Sequence, residues 1–149
     1  MNDTNAAKDL REMIRILERK LGVLEDSQVA CCKITMAQCH ALVEIGRAGR
    51  ISLNELAEIL HLESSSMSRT VNNLVNAGLV KRDIDPEDRR YITITLTTNG
   101  QVSFEDIENT MNSYYSNVYS ALPVDKRAQV IDSFHLLVTA MNEYECSKQ

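Results

Sequence analysis

The stretch Asp85-Pro86-Glu87-Asp88-Arg89-Arg90 sets carboxylates and two guanidiniums around a proline, directly ahead of the alternating run Tyr91-Ile92-Thr93-Ile94-Thr95-Leu96-Thr97. Proline pre-sets φ for a turn, and the period-two run reads as a strand, so the arginines fall at the tip of a hairpin. Such a tip is narrow enough for the minor groove of DNA, where the negative potential favours arginine. Asp88, two residues before Arg90, can hold that guanidinium by a charge-assisted bond, so that less side-chain entropy is lost on binding.

A second set precedes it. Ser64, Ser65, Ser66, Ser68, Arg69, Asn72 and Asn73 occupy the outward side of a segment whose Met67, Val71, Leu74 and Val75 recur at helical spacing. Short hydroxyls and amides with one guanidinium are the chemistry that bonds base edges and phosphates in a major groove. The same residues also fit an ordinary solvated face, and the hairpin that follows decides between the two. It carries Lys81 and Arg82 at its base and Arg89 and Arg90 at its tip.

A third set is Cys31, Cys32, Cys39 and His40. Adjacent thiols ahead of a helix N-terminus, with a third in its first turns, suit a soft metal or metalloid ion, or a peroxide or disulfide switch. The spacing matches none of the usual zinc patterns, so no metal is assigned and no cofactor is expected. Cys39 keeps step with Leu42 and Val43, which reads equally well as inert core. His40 and Glu44, four apart, are either a metal pair or a solvent-facing pair.

The elements that must position these residues follow from periodicity and punctuation. Leu10, Ile14, Leu17, Leu21 and Leu24 form one stripe of a long helix. Thr35-Met36-Ala37-Gln38 is a capping box opening a helix to about residue 47, and Ser52-Leu53-Asn54-Glu55 repeats the box for a short helix that buries Leu53, Leu56, Ala57 and Leu60. His61-Leu62-Glu63 makes a brief turn, Ser64–Ala77 a further helix, and Gly78 its left-handed terminator. Two short helices joined in this way are a helix-turn-helix. In the hairpin, Ile92, Ile94 and Leu96 are expected to face the core and the polar residues between them to face water. Thr98-Asn99-Gly100 reads as a turn before a helix to about Leu122, and Pro123 and Asp125 interrupt the chain before a last helix striped by Val130, Phe134, Leu137, Met141 and Tyr144.

These elements make a mainly α (α+β) fold, in which a winged helix-turn-helix at 35–98 is flanked by helices at 1–34 and 99–149 whose apolar stripes are expected to pack on each other and on a second subunit, the alternative being a monomeric helical bundle beside the winged helix. At 149 residues, 44% hydrophobic and 25% charged, the chain is long enough for one domain and partner-facing helices. A net charge of −5 argues against indiscriminate attraction to nucleic acid, so basic contacts must be local. With no apolar run long enough for a membrane and no signal-peptide core, a cytoplasmic protein with reduced thiols is expected. No nucleophile stands at a recognisable spacing from a His and a carboxylate, and no glycine-rich phosphate loop occurs among only five glycines, so an enzyme is not expected.

The residues resemble the MarR family of bacterial transcription regulators over nearly the whole chain. The pieces are Leu53-Asn54-Glu55-Leu56-Ala57, Ser68-Arg69 with Leu74, Gly78-Leu79-Val80, Asp88-Arg89-Arg90 and Leu96-Thr97-Thr98-Asn99-Gly100. The resemblance implies a homodimer with interleaved terminal helices, winged helices spaced for successive major grooves, and wings reaching the flanking minor grooves. It also implies a repressor, or less often an activator, released by a small molecule, oxidant or metal, with a ligand pocket between the dimerisation helices and the winged helix; Tyr114, Tyr115 and Tyr119 either line that pocket or simply pack as core. Glu63 departs from the pattern, standing where an N-cap such as Asp is common. A winged-helix module that binds another protein is the alternative, and it leaves Arg89 and Arg90 unexplained.

Overall fold

The computed structural model describes residues 2–148, with the side chains of 27–32 excepted. Contacts divide the chain into two compact units, Met1–Glu108 and Asn109–Gln149. The described residues form six α-helices and a three-stranded antiparallel sheet.

Helix α1 spans Asp3–Cys32. Its stripe residues Ile14, Leu17, Leu21 and Leu24 are half-buried, while Leu10 stays exposed. Helix α2, Met36–Ala48, opens on the expected capping box: the Thr35 hydroxyl accepts from the Gln38 amide at 3.2 Å, and the Gln38 side chain accepts from the Thr35 amide at 3.1 Å. Its Cys39, Ala41, Leu42 and Ile45 enter the core.

Strand β1, Ile51–Ser52, leads straight into α3, Leu53–Ile59. Only half of the second box forms. The Ser52 hydroxyl accepts from the Glu55 amide at 3.1 Å, but the Glu55 carboxylate accepts a hydrogen bond from that hydroxyl at 3.0 Å instead of reaching the Ser52 amide. Ser52 is also a strand residue, paired with Thr93, so its backbone is committed to the sheet. Leu56 and Ala57 are buried, with Leu53 and Leu60 half-buried.

Helix α4, Ser64–Asn76, follows a tight turn in which His61 takes φ 52°. It buries Met67, Val71 and Leu74. Val75, expected inward, is 36% exposed, because it stands about 100° round the helix from Leu74. The helix ends in a Schellman motif: the Gly78 amide donates to Val75 and the Leu79 amide to Leu74, both at 3.0 Å, with Gly78 at φ 76°.

Strands β2, Val80–Ile84, and β3, Ile92–Leu96, form the hairpin, and β3 lies between β1 and β2. The expected alternation holds for Ile94, fully buried, and fails in the two residues before it. Ile92 is 43% exposed and Thr93 only 6%. Ile92 pairs with the still more exposed Ile84 at the outer end of the hairpin, whereas Thr93 is flanked by both neighbouring strands and donates its hydroxyl to the Asp83 carbonyl at 3.3 Å.

Helix α5 spans Thr98–Ala121, so Asn99 and Gly100 already lie in its first turn and the expected turn there is absent. Thr97 is the reason: its hydroxyl accepts from the Gly100 amide at 3.0 Å and donates to the Gly78 carbonyl at 2.6 Å. A Cβ at Gly100 would collide with the Leu79 carbonyl, so the residue must be glycine for this junction to close. Among the described residues, the buried apolar side chains run from Ile34 to Ile107.

In the second unit a 3-10 turn, Val124–Lys126, precedes α6, Arg127–Cys146. Arg127 donates to the Leu122 and Ser120 carbonyls at 3.3 and 3.0 Å, satisfying acceptors that the end of α5 leaves open. No residue of α6 is buried, and Phe134, Met141 and Tyr144 of its stripe are 49%, 47% and 61% exposed.

Candidate nucleic-acid interface

Helix α4 turns Ser64, Ser65, Ser66, Arg69, Asn72 and Asn73 to solvent, while Ser68 is half-buried. Apolar burial of the opposite side fixes which side chains these are. The first turn has no side-chain cap from Glu63, leaving its amides open, and the Ser64 hydroxyl lies 3.5 Å from the Asn54 side-chain oxygen of α3.

The hairpin tip is built by two aspartates with different tasks. Asp85 accepts from the amides of Glu87 and Asp88 at 2.8 and 3.4 Å, and its own amide donates to Tyr91 at 2.9 Å, which closes the loop. Asp88 accepts from the Arg90 amide at 3.1 Å and takes the guanidinium with both oxygens, from Nε at 3.0 Å and Nη2 at 2.8 Å. Arg90 keeps 83% of its side chain exposed. The bond from the Arg90 side chain, followed by that from its backbone, holds the Asp88 carboxyl below its ordinary pKa, and the Asp88 carboxylate raises that of Arg90. The arginine is thus fixed in direction while still free to meet a ligand. Arg89 and Lys81 are exposed.

Arg82 behaves otherwise. It is half-buried on β2, and its Nη2 donates to the Ser68 carbonyl at 3.0 Å and hydroxyl at 3.3 Å. Sequence reading overlooked this tie, although the strand period carried the signal: Val80 and Arg82 share a face of β2, and Val80 is buried.

The candidate sensing residues are not brought together. Cys31 and Cys32 lie outside the described side chains; Cys39 is buried in α2 and His40 exposed. Glu44 lies 3.8 Å from Arg47, which also reaches Glu108 at 3.3 Å. No group of three metal-binding side chains occurs among the described residues, and no helix among them is long and apolar enough to cross a membrane.

Residues 34–92, which take in α2, the helix-turn-helix and the hairpin as far as the first residue of β3, match the model of the MarR family. Multiple antibiotic resistance protein MarR of Escherichia coli is 31% identical over 91 residues, 61% of this chain and 63% of its own. A mutant of that protein, solved with operator DNA, aligns at 25% identity and a TM-score of 0.74 over 89% of this chain and 96% of its own. The chain belongs to the MarR family. FabT of Streptococcus pneumoniae, solved in complex with DNA, has the same fold at a TM-score of 0.85, with 16% identity over 93% of this chain and 99% of its own. HTH-type transcriptional regulator BilQ of Clostridium symbiosum is 23% identical over 116 residues, 78% of this chain and 81% of that one. The protein is a MarR-family transcriptional regulator.

Proposed function

We propose that this MarR-family regulator binds an inverted-repeat operator in double-stranded DNA as a homodimer and represses transcription until a small molecule, oxidant or metal releases it. The observation that carries the reading is the Asp88–Arg90 clamp, which aims an exposed guanidinium from the hairpin tip of the unit that also exposes the serine-rich side of α4. In this reading Ser64, Ser65, Ser66, Ser68, Arg69, Asn72 and Asn73 enter the major groove, Lys81 and Arg89 meet phosphates, and Arg90, oriented by Asp88, enters the minor groove.

A second subunit is supported by α6, whose exposed Phe134, Met141 and Tyr144 form a stripe too apolar to leave in water. Two such subunits would place half-site centres about 34–36 Å apart, one turn of duplex. DNA that carries the protein's own upstream region tests this directly. Footprinting should show two protected half-sites with that spacing, and sedimentation should give the mass of two chains. A monomer, or an unprotected duplex at low salt, contradicts the reading.

A further inference from the structure

Arg82 is the basic residue of the hairpin that does not look outward. It shares the inward face of β2 with the buried Val80 and stands across from the fully buried Ile94, so its stem runs along the core side of the sheet. At the end of that stem, Nη2 holds both oxygens of Ser68, while Nε is shut off from solvent and finds no partner among the described residues. A guanidinium used in this way has Nε and Nη2 turned inward and only Nη1 left for any other ligand.

What it does hold is the angle of α4. The C-terminal end of that helix is already tied to the hairpin by the Schellman motif and by the Thr97 bond to Gly78. Met67, Val71 and Leu74 hold the underside of the helix in the core, and the Arg82 bonds add a polar tie at its middle that sets how it turns towards the hairpin. Ser68 lies eight residues before Asn76, about 12 Å along the axis, and Ser65, Ser66 and Arg69 surround it.

We propose that Arg82 is a positioning residue, which aligns the exposed side of α4 with the wing and does not itself touch DNA. The affinity test rests on the DNA-binding reading above; the exchange test does not. Arg82→Met keeps the stem and removes the bonds to Ser68. Amide hydrogen exchange across Ser68–Asn72 should quicken in the DNA-free variant. On the protein's upstream DNA, binding should weaken about tenfold, comparable to losing one bond to a charged donor. The slope of log affinity against log salt should stay at the wild-type value, whereas Arg89→Ala should lower it by about 0.9. A slope that falls equally in Arg82→Met would make Arg82 a phosphate contact and overturn the proposal. So would wild-type affinity in a variant that merely melts earlier. Should Arg82→Met fail to fold, Arg82→Lys decides, since a single ammonium keeps the charge but not the two-oxygen grip. Weaker binding at the wild-type slope is expected, and full affinity would overturn the idea.

Discussion

Helix α4 and the hairpin tip belong to one unit and are ordered by opposite means. The helix is held from beneath, by Met67, Val71 and Leu74, all fully buried. The tip has no such base: Ile84, Tyr91 and Ile92 around it are 64%, 47% and 43% exposed, and its shape comes from the side-chain bonds of Asp85 and Asp88. Apolar burial is insensitive to pH and to the screening of charge, while exposed charge-assisted bonds are not. A reading surface with a rigid half and an electrostatically set half should therefore fail in two separable ways.

The largest effect is expected from Leu74→Ala, which should lower unfolding stability by about 2–5 kcal/mol in denaturant titrations, through lost burial and a residual cavity. A loss no greater than that of a surface change would break the contrast. Gly78→Ala comes next, at about 1–2 kcal/mol, because an L side chain must then adopt the left-handed backbone of the terminator. Thr35→Ala should cost about 1 kcal/mol by removing the cap of α2. Smallest in global terms is Asp88→Asn, which should leave the unfolding midpoint in place while freeing Arg90; a fall like that of Leu74→Ala would show the tip to be part of the core after all.

The pH dependence of the tip has a definite sign. The Asp88 pKa is depressed in the folded chain, so the clamp is fully present above the ordinary aspartate range and is lost as pH falls through the depressed value. In an NMR titration the Asp88 carboxyl should turn over at lower pH than in Arg90→Ala. Equal midpoints would remove the clamp from consideration.

Much of this was legible in the residues. The Thr35 box, the inward Met67, Val71 and Leu74, the Gly78 terminator and the Asp88–Arg90 pair are all local, set by neighbours within a few positions. What escaped depends on partners distant in sequence. Thr93 is buried because β1 pairs beside it, and a two-residue strand shows no period to read. Asn99 and Gly100 look like turn residues, yet Thr97 caps them into α5 while Gly100 admits the Leu79 carbonyl. Arg82 looked like a basic residue at the base of a wing, and only the packing of β2 on α4 reveals its grip on Ser68.

The central claim, that a clamped wing arginine and the serine-rich side of α4 bind DNA together, is tested most directly by titrating the protein's upstream duplex with wild type and Arg90→Ala across a range of salt. Wild-type affinity should fall steeply with salt, and the variant should bind more weakly while retaining wild-type stability. Equal affinity for the two proteins at every salt concentration would contradict it.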